Sequence, residues 1–138
     1  MTDFVLDNSV TMRWCFDAGA HPYADHVLER LETGTGEAFV PVLWRYEVSS
    51  VLARGQIRGF LPAVKSKTFL DSLTDLAINI DADSAGNVLT SVHALALQYR
   101  LTSYDAAYLE LAQRRNLPLA TLDDELRETC QAAGVTVL

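Results

Sequence analysis

The sequence predicts an α/β domain of three layers, with a central, mostly parallel sheet of about five short strands flanked by helices. Short apolar runs alternate with longer amphipathic stretches along the whole chain. The runs are apolar at successive positions rather than at every second one, as expected for strands covered on both faces. No Gly/Ser linker, low-complexity tract or internal repeat divides the 138 residues, so residues 1–138 read as one domain with a single core.

The strands are expected at residues 4–6, 39–40, 77–80, 117–122 and 135–138, with helices filling the intervals. Pro22 and Pro62 suit first-turn positions, and Pro41 marks the approach to another helix, because a proline there loses no intrahelical hydrogen bond. Gly34, Gly36, Gly55, Gly59 and Gly134 fall at expected helix ends or turns. From Val42 to Arg54, the residues Trp44, Glu47, Val48, Val51 and Leu52 recur at i, i+3, i+4, i+7 and i+8, the spacing of one helical face. Thr102 or Ser103 is a good N-cap for a helix that continues through Tyr108, Leu109 and Ala112.

Composition narrows the function. No apolar stretch approaches the roughly 20 residues needed to cross a bilayer, and the N-terminus lacks a secretory pattern, so a cytoplasmic protein with no membrane partner is the expectation. Cys15 and Cys130 have neither CxxC spacing nor nearby histidines and read as reduced, partly buried thiols. The net charge of −7 argues against a polyanionic partner, yet Arg45, Arg54, Arg58, Lys65 and Lys67 face only Glu47 between residues 38 and 70. That stretch carries +4 and leaves −11 to the rest. It is either a solvated helical face or a substrate-facing one.

Four acids are placed where charge is expensive. Asp7 follows Phe4, Val5 and Leu6 at the carboxyl end of a strand, and Asp123 follows Leu119, Ala120, Thr121 and Leu122 in the same way; ligands of open α/β sheets gather at that edge. Asp124, next to Asp123, competes with it as the acid at this position. Glu47 interrupts the apolar stripe of its helix and requires either a functional cleft or a partner such as Arg13 or Arg45. Asp105 falls in the first turn of its helix, where an acid also suits the dipole, but Tyr108 and Ala112 put it on a mostly apolar face. Four carboxylates in one pocket repel one another unless a cation lies between them, so the set points to a divalent-metal site. Ser9 and Thr121 either hydrogen-bond these carboxylates or cap helices. His21, His26 and His93 are scattered and lack the pairing that metal-free acid–base catalysis needs.

The segments that carry these acids are VLDNSV (5–10), LWRYEVSSVL (43–52), LTSYDAAYLELA (101–112) and LPLATLD (117–123). Together, in this order and spacing, they resemble a PIN domain of the VapC toxin type over nearly the whole chain. The resemblance implies an endoribonuclease that depends on Mg²⁺ or Mn²⁺ and belongs to a type II toxin–antitoxin system. Its acidic cluster corresponds to Asp7, Glu47, Asp105 and Asp123; Ser9, Thr121 and Asp124, read from their positions beside these acids, are candidates for supporting them. It also implies a cognate antitoxin that blocks the active-site groove, a homodimer and an RNA substrate. Asp124 and Glu125 depart from the basic or neutral residue usual after the fourth acid, so the fourth ligand stays open between Asp123 and Asp124. Arg13, Arg45, Arg54 and Arg58 are candidates for holding the RNA. Trp44, Tyr46, Tyr104 and Tyr108 flank the acids and either stack on unpaired bases or fill the core.

Two other readings compete. A receiver-like phospho-acceptor module also binds Mg²⁺ at strand ends, but it calls for a lysine after the penultimate strand, and Lys65 and Lys67 lie in a predicted helix. A PIN-like domain without activity would serve only as a binding scaffold.

Overall fold

The computed structural model describes residues 2–138. Strands β1 (Phe4–Leu6), β2 (Ala38–Val40), β3 (Ile78–Ile80) and β4 (Leu119–Ala120) form one parallel sheet in the order β3-β2-β1-β4. Val5 pairs with Phe39 on one side and with Leu119 on the other, and Val40 pairs with Ile80. All three residues of β1 are fully buried, as its continuous apolar run requires of a central strand covered on both faces.

The fifth expected strand is reduced to one parallel bridge between Leu119 and Val137, flanked by bonds from the Leu119 N–H to the Thr136 carbonyl and from the Leu138 N–H to the Leu119 carbonyl. β4 is likewise shorter than the expected 117–122. Leu117 belongs to the end of the preceding helix, its N–H bonded to the Ala112 carbonyl, and Pro118 has no N–H to give. Beyond Ala120, the Leu122 N–H turns to the Ser9 hydroxyl instead of a ladder partner.

Seven α-helices are described: α1 (Asn8–Phe16), α2 (Pro22–Glu32), α3 (Leu43–Ile57), α4 (Ala63–Thr74), α5 (His93–Tyr99), α6 (Ser103–Arg115) and α7 (Asp124–Ala133). A 3-10 turn at Ser84–Asn87 and a π turn at Val88–Val92 lead into α5. None of these helices is long and apolar enough to cross a membrane. Pro22 opens α2, as expected, while Pro62 sits one residue earlier than expected, as the N-cap of α4. Gly134 ends α7 at φ 76°, a left-handed conformation that glycine adopts without strain. Gly55 falls in the last turn of α3, near the helix end where it is expected. It lies buried inside α3, where a Cβ would stand 3.0 Å from the Leu61 Cβ and 3.2 Å from the Phe60 ring, so its absent side chain lets the following turn fold back on the helix.

Topology fixes where a site can form. Successive steps β1 to β2 and β2 to β3 move along the sheet in one direction, and the return to β4 runs the opposite way across β1. Because parallel crossovers are right-handed, α1 to α4 cover one face and α5 and α6 the other. α1 packs on α2 and α3, whereas α6 packs on β1 and β4. The chain therefore reverses at β1, and the carboxyl ends of β1 and β4 border the crevice where open α/β sheets bind ligands. The core beneath it includes Phe4, Leu6, Trp44, Tyr108, Leu109 and Leu111. Cys15 and Cys130 are free and buried within it.

Candidate active site

Asp7 is the residue immediately after β1 and precedes the first turn of α1. Its side chain does not cap that helix. One carboxylate oxygen, Oδ2, instead accepts from the Ser9 hydroxyl at 2.6 Å and from the Thr121 hydroxyl at 2.7 Å. Thr121 is wholly buried and also accepts the Asp123 N–H, so β1 and the end of β4 are tied through this carboxylate. Asp7 is itself only 6% exposed. Burial pushes its pKa up, the Ser9 and Thr121 hydrogen bonds pull it back, and the negative charge of Asp123 adds to the rise.

Glu47 lies in the second turn of α3, between the buried residues Trp44 and Val48. Leu43, at the start of that helix, packs against Val92, Ala106 and Ala107, which draws α3 toward α6. Across the junction, the Tyr108 hydroxyl donates to Glu47 Oε1 at 2.6 Å. One turn earlier on α3, the Trp44 indole N–H donates to the Thr11 hydroxyl at 3.0 Å and ties the helix to α1. Burial raises the Glu47 pKa, the Tyr108 hydrogen bond opposes it, and Asp7 and Asp105 raise it further.

Asp105 stands in the first turn of α6, which Thr102 caps by accepting the Asp105 N–H at 3.1 Å. Its pKa is raised to about 6, first by burial and then by the charges of Asp123, Asp7 and Glu125. Asp123 caps α7, its Oδ1 accepting the Leu126 N–H at 3.0 Å, and it still acts electrostatically on both Asp7 and Asp105. Asp124 begins α7 as an exposed residue.

These four acids thus act on one another's charge at the crevice, and among the described residues none of them enters an ion pair. The arginine partner that could have explained Glu47 structurally is not there. Arg13 pairs with Asp17 at 2.6 Å, one turn along α1, and Arg45 is exposed beside an apolar groove between α3, α4 and β3. Arg54 and Arg58 are exposed at the far end of α3, about 10 and 16 Å along the helix from Glu47 at 1.5 Å per residue. The four aromatics divide: Trp44 and Tyr108 are core residues, while Tyr46 and Tyr104 are 73% and 66% exposed. His21 caps α2, its Nδ1 accepting the Ala24 N–H at 3.3 Å.

Two buried acids escaped the sequence reading. Asp81 follows β3 just as Asp7 follows β1, but Arg114 reaches its Oδ2 at 2.5 Å and Arg115 its Oδ1 at 3.0 Å. Burial alone would raise its pKa, and the hydrogen bonds from Arg114, Ser84 and Arg115 overcome this and hold it at about 2. Glu110 joins the same network through Arg114 at 2.7 Å and Asn87 at 3.1 Å. The strand-end position of Asp81 was visible in the sequence; its arginines, on α6, were not.

The donor set of the crevice fits a hard divalent cation that keeps part of its water shell. Every donor is a carboxylate oxygen; Asp7 is buried, Glu47 and Asp105 are half-buried and Asp123 is exposed, and among the described residues no cation pairs with any of them. Among the described residues no three Asp, Glu, His or Cys side chains are gathered closely enough to hold an ion by themselves.

The PIN domain family model matches residues 4–132. Ribonuclease VapC3 of Pyrobaculum aerophilum is 34% identical over 100 residues, which cover 72% of this chain and 76% of that protein. A second Pyrobaculum aerophilum protein of known crystal structure superposes with a TM-score of 0.66 at 22% identity, covering 92% of this chain and 85% of its own. A toxin–antitoxin complex from Klebsiella pneumoniae contains a chain with a TM-score of 0.63 at 18% identity, covering 91% of this chain and 90% of that one. The three-layer fold, the match over almost the whole length and the VapC relative agree: this chain is a member of the PIN domain family, of the VapC type.

Proposed function

We propose that the chain is a Mg²⁺- or Mn²⁺-dependent endoribonuclease acting as the toxin of a type II toxin–antitoxin pair. The observation that carries this reading is electrostatic: Asp7, Glu47 and Asp105 are each raised by burial and by one or more acids of the set, and among the described residues no ion pair answers any of the four. Such an arrangement is costly to the apo fold, which argues against a scaffold without activity. Membership of the PIN family, a relative named as a ribonuclease and a structural neighbour described as a toxin–antitoxin complex support the substrate class and the partner.

In this reading Asp7, Glu47 and Asp105 hold the metal directly or through water, and Asp123 completes the set or orients the attacking water. When bound, the metal polarises the scissile phosphate and lowers the pKa of water. Ser9 and Thr121 fix the rotamer of Asp7 and favour its charged form. Attack by water at phosphorus expels the 3′ oxygen and leaves a 5′-phosphate and a 3′-hydroxyl. Arg45, Arg54 and Arg58 follow the RNA backbone along α3, and Arg13 neutralises phosphate near the crevice. The antitoxin covers the same groove, and the active form is a cytoplasmic homodimer.

The test is Mg²⁺-dependent cleavage of a structured RNA by wild type and Asp7→Asn, with the cognate antitoxin added in a parallel reaction. Cleavage by wild type alone, suppressed by the antitoxin, is expected. Equal survival of the RNA with both proteins in Mg²⁺ and Mn²⁺ would remove the enzyme assignment.

A further inference from the structure

The hydrogen bond between Tyr108 and Glu47 does more than join two helices. Glu47 Oε1 accepts the phenol at 2.6 Å, which occupies one of its lone pairs and fixes its direction, and leaves Oε2 as the oxygen without a protein partner. Neither partner can readily swing away: Tyr108 is fully enclosed in the core, and α3 is anchored on both sides of Glu47 by buried Trp44 and Val48. Pulling Oε1 free would also leave a buried phenol without an acceptor. The other acids show the same restraint, since Asp7 Oδ2 receives two hydroxyls and Asp123 Oδ1 receives the Leu126 N–H.

Carboxylates held in this way favour binding through the oxygen that carries no protein hydrogen bond. Mg²⁺ asks for that, with near-octahedral ligands at about 2.0–2.1 Å, whereas Ca²⁺ fills a shell of about six to eight oxygens partly with bidentate carboxylates at about 2.3–2.6 Å. Building on the metal site proposed above, we propose that Tyr108 is a positioning residue that confines Glu47 to one free oxygen and so sets the site's preference for Mg²⁺ over Ca²⁺. Tyr108 lies one turn beyond Asp105 on α6, so a single helix supplies one acid and restrains another.

Calorimetric titration of wild type and Tyr108→Phe with Mg²⁺ and with Ca²⁺ tests this, circular dichroism reporting on the fold. Tyr108→Phe is expected to bind Mg²⁺ about tenfold more weakly while Ca²⁺ affinity holds or rises, so that the ratio of the two constants moves by about tenfold or more. A variant whose two affinities stay the same, or fall by a common factor, overturns the role of Tyr108 and leaves the metal site standing. Wild type that binds neither ion overturns the metal reading and this inference with it. Should Tyr108→Phe not fold, infrared difference spectra of wild type with ¹³C-carboxyl glutamate, loaded with Ca²⁺ and compared with Glu47→Gln, decide the matter. A monodentate Glu47 signature is expected, and a bidentate one overturns the proposal.

Discussion

Replacing Asp105 by asparagine should stabilise the metal-free protein. Its carboxyl titrates at about 6 instead of 3.8, because it is buried and faces Asp123, Asp7 and Glu125. The folded pKa lies above the unfolded one, so the folded state binds this proton more tightly and stability is lost as pH rises from about 4 to about 6. At about 1.36 kcal/mol per pH unit, the shift is an upper figure of about 3 kcal/mol against the fold at neutral pH. Asparagine keeps the shape and removes the charge, but forfeits roughly 0.3–1 kcal/mol of helix-dipole interaction in the first turn of α6. A net gain of at most about 2 kcal/mol remains after that subtraction, and solvent screening at this half-buried position lowers it further. Urea unfolding in EDTA at steps from pH 3.5 to pH 8 measures it: the two proteins should coincide below about pH 4 and diverge to the full difference above about pH 6. Added Mg²⁺ should then raise the wild-type midpoint and leave Asp105→Asn nearly unchanged, since only a site with its charge intact draws the ion. A variant less stable than wild type in EDTA at pH 7, or a difference that does not change with pH, would refute the idea of an uncompensated acidic site.

The Asp81 network should titrate in a separate window and with the opposite sign. Asp81 is held at about 2, below its ordinary value of 3.8, so its contribution of about 2 kcal/mol is complete above about pH 4 and is lost as pH falls through about 2. Acid unfolding followed by circular dichroism should show that limb in wild type and its absence in Asp81→Asn, which is destabilised at neutral pH by the loss of the Arg114 and Arg115 pairs. The exposed arginines test substrate contact: Arg54→Ala with Arg58→Ala should weaken single-stranded RNA binding and reduce the salt slope by about 0.7 for each phosphate contact removed. Fluorescence anisotropy across a salt series reads it, and an unchanged slope assigns both residues to surface solvation.

Legibility followed the range of the interactions concerned. Short-range features came through: the apolar run of β1, proline at the start of α2, the Thr102 cap and the intrusion of Glu47 into a helical stripe are all set by neighbours within a turn or two. β4 was misjudged in length because two of its expected residues are claimed by long-range polar bonds, Thr121 to Asp7 and Leu122 to Ser9, across more than a hundred residues of sequence. Gly55 lies in the last turn of α3 as expected, but why glycine is needed there was not legible: Phe60 and Leu61 fold back against it. Serine and threonine near the acids were ambiguous between capping and support; the contacts made by Ser9 and Thr121 resolve them as partners of Asp7. Family resemblance supplied what local pattern lacked, namely the expectation that four acids from separate segments form one set; the structure brings them within electrostatic reach of one another.

Asp7 and Asp81 show why strand-end position alone cannot identify a site in such a fold. Each acid follows a short apolar parallel strand, each is almost fully buried, and each accepts a serine hydroxyl from a residue two or three positions onward. Their electrostatics are opposite. Asp81 meets two arginines and is lowered to about 2, so its negative charge is already answered within the protein. Asp7 meets hydroxyls, the Asn8 backbone N–H and other acids, and burial raises its pKa. A buried carboxylate bound to arginine has little left to offer a cation, whereas one surrounded by neutral donors and like charges gains from one. The same helix, α6, makes the distinction: Asp105 near its start adds to the repulsion around Asp7, and Arg114 and Arg115 at its end neutralise Asp81. Its two ends therefore give one strand-end acid a structural role and leave the other available to a ligand from outside the chain.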